Sequence, residues 1–117
     1  MKQLIGMALC AVAAAALVVG SVKAADVPAA ATVQINIFNY KFDPATVTVP
    51  VGTTVTWTNK DEIPHSVASS DKSFKGSGGL DTGDSYSNTF DKPGTYKYYC
   101  TLHPFMTGVI VVQAKGV

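Results

Sequence analysis

The stretch Thr95-Tyr96-Lys97-Tyr98-Tyr99-Cys100-Thr101-Leu102-His103-Pro104-Phe105-Met106-Thr107-Gly108-Val109-Ile110-Val111-Val112-Gln113 decides how this chain is read. Its two ends, Thr95 to Cys100 and Gly108 to Gln113, are dense in aromatic and β-branched residues and read as strands. Between them, Thr101 to Met106 is a short loop, and with the last residue of the first strand it spells C-x2-H-x2-M. In a tight turn, spacings of three residues bring Cys100, His103 and Met106 toward a common centre. Pro104 restricts its own backbone and that of His103, so the loop is preset.

Working outward, the same strand pattern recurs. Thr32 to Phe38 alternates, with Val33, Ile35 and Ile37 on one side and Gln34 and Asn36 on the other. Thr46 to Val49 repeats Val-Thr, Thr54 to Thr58 runs Thr-Val-Thr-Trp-Thr, and Ser85 to Phe90 continues the series. Turn signals stand at Pro50-Val51-Gly52 and at Asp91-Lys92-Pro93-Gly94. Nothing after Ala25 has a helical period. Ser69 to Gly83, with Gly76, Gly78, Gly79 and Gly83, is the least patterned segment and reads as a long loop holding a short strand or turn. Many short strands in one small domain predict an all-β, two-sheet Greek-key sandwich, with Trp57, Phe90 and Tyr98 in its core.

The N-terminus reads as a secretory signal peptide over residues 1–24. Lys2 is a short positive region, Leu4 to Val19 is apolar, and Val22-Lys23-Ala24 has the small residues of a cleavage site. The apolar run is at the short end of the roughly 17 to 25 residues needed to span a membrane, so cleavage is favoured over a retained anchor. Cys10 lies within the run and leaves with it. The expected mature domain, residues 25–117, has seven lysines against seven aspartates and Glu62, and the chain has no arginine. That balance argues against nucleic acid or an anionic membrane as a partner. One domain fits this length, and a monomer with a periplasmic address is the expectation.

Export makes the single remaining cysteine informative, because thiols usually pair in an oxidising compartment. Cys100 is an inert buried thiol, a site for pairing with another chain, or a metal ligand, and only the last also explains His103 and Met106. His65 comes from upstream, just beyond Pro64, where the chain passes between strands. One thiolate, two imidazoles and one thioether make the ligand set of an electron-transfer copper site. Zinc is a rival, since Cys plus two His also suits it. A copper-buffering or copper-delivery protein could use the same ligands. Catalysis is disfavoured, since one site consumes both histidines of the chain and keeps no open position for a substrate. No paired carboxylates near a nucleophile and no phosphate-binding loop are present.

Trp57-Thr58-Asn59-Lys60-Asp61-Glu62-Ile63-Pro64-His65, followed by Tyr98-Tyr99-Cys100-Thr101-Leu102-His103-Pro104-Phe105-Met106, resembles the cupredoxins, the plastocyanin and azurin family, and most of all the amicyanins. Phe42-Asp43-Pro44 and Pro93-Gly94-Thr95-Tyr96 extend the resemblance over nearly all of the mature chain. The short gap between His103 and Met106 is the amicyanin-like feature. The resemblance implies one type 1 (blue) copper and shuttling of single electrons between transient protein partners. For an amicyanin these would be an amine dehydrogenase as donor and a c-type cytochrome as acceptor. It implies Cys100 as the strong thiolate ligand, His65 and His103 completing a trigonal plane, and Met106 as the distant axial ligand. It also implies that His103 lies near the surface among Pro64, Pro104 and Phe105, and that it leaves Cu(I) at acidic pH. Two residues depart from the pattern. Ser66 stands where an asparagine usually bonds across to the cysteine loop, and Leu102 replaces a proline, which puts the reduction potential and loop rigidity in question.

Overall fold

A computed structural model describes residues 31–114; the expected signal segment lies outside them. Eight strands follow in order: β1 (Thr32–Phe38), β2 (Lys41–Asp43), β3 (Thr46–Pro50), β4 (Thr53–Asn59), β5 (Ala68–Ser69), β6 (Ser85–Phe90), β7 (Gly94–Tyr99) and β8 (Thr107–Gln113). They form two four-stranded sheets, ordered β2-β1-β4-β6 and β3-β8-β7-β5. The expected all-β sandwich is therefore present, with both sheets mixed: β1 with β4 and β3 with β8 are parallel, and the other pairs are antiparallel. Parallel neighbours cannot be joined by a tight hairpin. The chain accordingly crosses between the sheets before it returns to pair. Among the described residues, no helix is long and apolar enough to cross a membrane.

Alternation in the sequence becomes alternation in burial. Along β4, Thr53, Val55, Trp57 and Asn59 point inward, while Thr54, Thr56 and Thr58 face out. The outward hydroxyls pair across the sheet with Thr89, Ser87 and Ser85 at 2.7 to 2.8 Å. The core gathers Ile35, Ile37, Val55 and Trp57 from one sheet and Val49, Tyr98, Ile110 and Val112 from the other. Phe90 joins them, so Trp57, Phe90 and Tyr98 are core residues as expected. Burial pushes the Tyr98 phenol up to about 12, offset in part by the nearby Trp57 indole. Neither Trp57 Nε1 nor Tyr98 Oη has a protein partner in hydrogen-bond geometry.

Two strands escaped the sequence reading, β2 and β5, of three and two residues. β2 returns along β1 through a two-residue turn in which Phe38 pairs with Lys41. Both turn residues have positive φ, Asn39 at 56° and Tyr40 at 60°. Such a turn normally takes Asn-Gly. A tyrosine there costs roughly 1 to 2 kcal/mol of backbone strain. This hairpin stands at the end of the sandwich where His65 and the Cys100 loop meet.

Candidate metal centre

Each candidate ligand is placed by a different closing interaction. Cys100 directly follows β7, and Cys100 N–H donates to the Met106 carbonyl at 3.1 Å, tying the two ends of the loop together. His103 N–H donates to the Cys100 carbonyl at 3.3 Å, and Met106 N–H to the His103 carbonyl at 2.8 Å. The loop is thus a closed double turn, held by backbone bonds in which Leu102 takes no part.

His65 is positioned from further away. It forms a two-way bridge with Leu80, at 3.1 Å from His65 N–H to the Leu80 carbonyl and 2.7 Å in return. The unpatterned glycine-rich segment therefore folds back to pin the histidine. Asn59, fully buried at the end of β4, organises this connection. Its Nδ2 donates to the carbonyls of Ile63 at 2.9 Å and Leu80 at 2.8 Å, and its Oδ1 accepts from Asp61 N–H at 2.8 Å.

These elements bring His65, Cys100 and His103 together, with ligand atoms all within 4.8 Å of one another. Cys100 Sγ lies 3.8 Å from His65 Nδ1 and 3.7 Å from His103 Nδ1. A metal with bonds of about 2.3 Å to sulfur and 2.0 Å to nitrogen separates those atoms by about 3.7 Å in a trigonal plane and about 3.5 Å in a tetrahedron. The observed separations lie within about 0.3 Å of both figures, close enough for one ion to bond the sulfur and both nitrogens. Met106 is buried at the end of the same loop. The donor set and its geometry fit one copper.

Around the thiol, Ser66 N–H donates to Cys100 Sγ at 3.3 Å. Its hydroxyl meets the Thr101 hydroxyl at 2.7 Å and accepts Thr101 N–H at 2.9 Å. A serine therefore does bridge to the cysteine loop, because Thr101 comes to meet it. Bonds of this kind orient ligands and tune a metal.

Two residues at the site were not foreseen. Asp61 Oδ2 takes His65 Nε2 at 2.8 Å, which leaves Nδ1 directed at the sulfur. The signal for it was the D-x3-H spacing. Tyr40 is the other, with its ring centroid 5.9 Å from His65 and 5.0 Å from His103, and only its place beside Asn39 in a turn hinted at it.

The Asp61 carboxyl is held below its ordinary value of 3.8, chiefly by the bond with His65, with burial opposing and the N–H groups of Tyr40 and Glu62 adding. Its folded value lies below its unfolded one. Its contribution to stability is therefore complete above the unfolded value and is lost as pH falls through the folded one. Asp61→Asn in the metal-free protein is expected to melt below wild type at neutral pH, with the gap closing on acidification. Thermal melts from about pH 6 down to about pH 3 check this, and a gap independent of pH contradicts it.

A small β-sandwich that gathers a cysteine sulfur and two imidazoles at one end, with a buried methionine closing the loop, has the form of a blue copper protein. Residues 9–112 match the family described as cupredoxin-like domain, and the chain belongs to that family. It is 37% identical to amicyanin-alpha of Methylorubrum extorquens over 110 residues, covering 86% of this chain and 88% of that one. It is 41% identical to the amicyanin of Paracoccus versutus over 98 residues, covering 79% and 72% respectively. Among solved structures, the purple cupredoxin of Nitrosopumilus maritimus superposes with a TM-score of 0.66 at 39% identity, over 69% of this chain and 99% of that one.

Proposed function

We propose that this protein is an exported carrier of single electrons, cycling between Cu(I) and Cu(II) at one copper held by His65, Cys100, His103 and Met106. The observation that carries the reading is the placement of the Cys100 sulfur at 3.7 and 3.8 Å from two imidazole nitrogens. Copper in such a set supplies a one-electron couple whose two states share nearly the same ligand arrangement.

The residues do the rest. The closed loop and the Ser66–Thr101 link hold Cys100 and His103 against rearrangement, and the Ser66 N–H stabilises negative charge on the sulfur. His103 is half-buried and lies beside exposed apolar side chains: Phe105, 72% exposed, Leu102, 52%, and Tyr40, 45%. An apolar rim of this size suits a brief encounter with a redox partner. The likeness to two amicyanins supports a carrier role with transient redox partners. From that likeness and the apolar N-terminal run we infer an amine dehydrogenase as donor, a c-type cytochrome as acceptor and a periplasmic location after removal of residues 1–24. The tied loop favours retention of copper over hand-off to an acceptor.

The test is a visible absorption spectrum of the purified mature chain during titration with Cu(II). An intense blue band that saturates at one copper per chain and bleaches reversibly on reduction is expected. A colourless protein that holds zinc, or copper released on reduction, would replace the carrier with a metal-handling protein.

A further inference from the structure

We infer that Tyr40 is a positioning residue for the copper ligands, a ring set against both imidazoles that keeps them in place and slows loss of the metal. The inference rests on the copper assignment above. It starts from a local contradiction in the backbone. Asn39 and Tyr40 both occupy left-handed conformations in a two-residue turn, where glycine is the favoured second residue. Tyr40 is also 45% exposed, so burial in the core does not explain a large side chain there. A strained residue that persists at a site invites a functional reading.

The ring supplies that function. It meets His65 and His103 at interplanar angles of 89° each, the T-shaped arrangement that aromatic quadrupoles favour. It also lies 6.3 Å from the Phe105 ring. The two histidine rings are themselves 4.9 Å apart, so one tyrosine spans the pair. Its backbone is fastened to the same place: Tyr40 N–H donates at 3.4 Å to Asp61 Oδ2, the oxygen that takes His65 Nε2. The pairing of Phe38 with Lys41 then holds the turn shut. An imidazole leaving the metal must displace a ring that the hairpin keeps in position. His103 on its short loop has the most to gain from this restraint.

A merely structural tyrosine and a positioning one predict opposite pairs of results for Tyr40→Gly. Glycine relieves the left-handed backbone but removes both ring contacts. We expect the metal-free variant to melt within about 5 °C of wild type, because relief of the backbone strain offsets the lost contacts. We expect the reduced, copper-loaded variant to lose Cu(I) to bicinchoninate about tenfold faster, the scale of two lost aromatic contacts. Tyr40→Phe, which keeps the ring, should release copper within about twofold of wild type. Tyr40→Asn, with a small side chain that tolerates positive φ, should behave as the glycine variant does and serves if that one folds poorly. Extraction rates within about twofold of wild type in both small-side-chain variants would overturn the inference. So would faster release accompanied by a fall of more than about 10 °C in the melting temperature of the metal-free protein, the mark of a general loss of structure. A wild-type chain that takes up no copper would overturn the ligand assignment together with it, whereas a blue wild type with unaltered variants removes only the role of Tyr40.

Discussion

A Cys100→Ala protein is expected to show no intense visible band at any loading of Cu(II), while folding as the wild type does. The band of a blue site comes from charge transfer between thiolate and copper, and Cys100 is the free thiol of the described residues. The remaining donors are two imidazoles and a thioether, a weak set with no anion to stabilise Cu(II). Folding should survive because the change removes one sulfur atom from a fully buried position. The void, the lost contacts and the buried Ser66 N–H left without its sulfur acceptor together cost on the order of 2 kcal/mol. The loop would still be closed by the Cys100 N–H bond to the Met106 carbonyl, which belongs to the backbone. Circular dichroism and melting of the metal-free variant establish the fold, and absorption during copper titration reads the site. A blue band in the variant would mean that another group supplies the colour and that the trigonal set is misassigned.

Gly108→Ala is expected to do the reverse, damaging the fold first and the site through it. Gly108 faces Tyr98 across β7 and β8. A β-carbon there would lie 2.2 Å from Tyr98 Cζ, 2.3 Å from its Oη and 2.7 Å from Cε1. The ring cannot swing aside. It is 1% exposed and packed against Phe42 at 4.7 Å and Trp57 at 5.4 Å. Overpacking of a rigid core costs up to about 3 kcal/mol. For a domain of this size that lowers the melting temperature by roughly 10 to 20 °C. Tyr98 lies two residues before Cys100 and Gly108 two after Met106, so relief of the clash by strand movement displaces the ligand loop at both ends. A broadened or shifted blue band should accompany the loss of stability. A melting temperature within a few degrees of wild type would show that β7 and β8 separate more easily than their pairing suggests.

What could be read from the residues divides along a physical line. β1 and β6 match their alternating segments residue for residue, β3 and β8 differ from theirs by one residue at one end, and β4 and β7 by one residue at each end. Each has five or more residues, enough for a period of two to show. β2 and β5 are too short to carry a period and exist because neighbouring strands pair with them. The convergence of Cys100 and His103 was legible because soft ligands are sparse and locally spaced. His65 joined them on ligand chemistry alone. The residues that place it, Asn59 and Leu80, look like an ordinary polar strand end and a lone apolar residue in a glycine-rich loop. Asp61 carried only the D-x3-H spacing as a signal, and Tyr40 acts only once the hairpin and the β4–β5 connection have come to the same end of the sandwich, which no local pattern encodes.

The two parallel pairings have a consequence for the life of the chain before it is native. Val109 must find Thr46, and Thr54 must find Thr32, across long intervening loops. Closures of that kind are slow to nucleate, typically milliseconds to seconds for sandwiches rich in distant contacts. Cys100 is fully buried in the finished sandwich and uncovered in the unfolded chain. On the export proposed above, the arriving chain carries an uncovered thiol for as long as its strands are still searching. Strand closure and oxidation of that sulfur then compete.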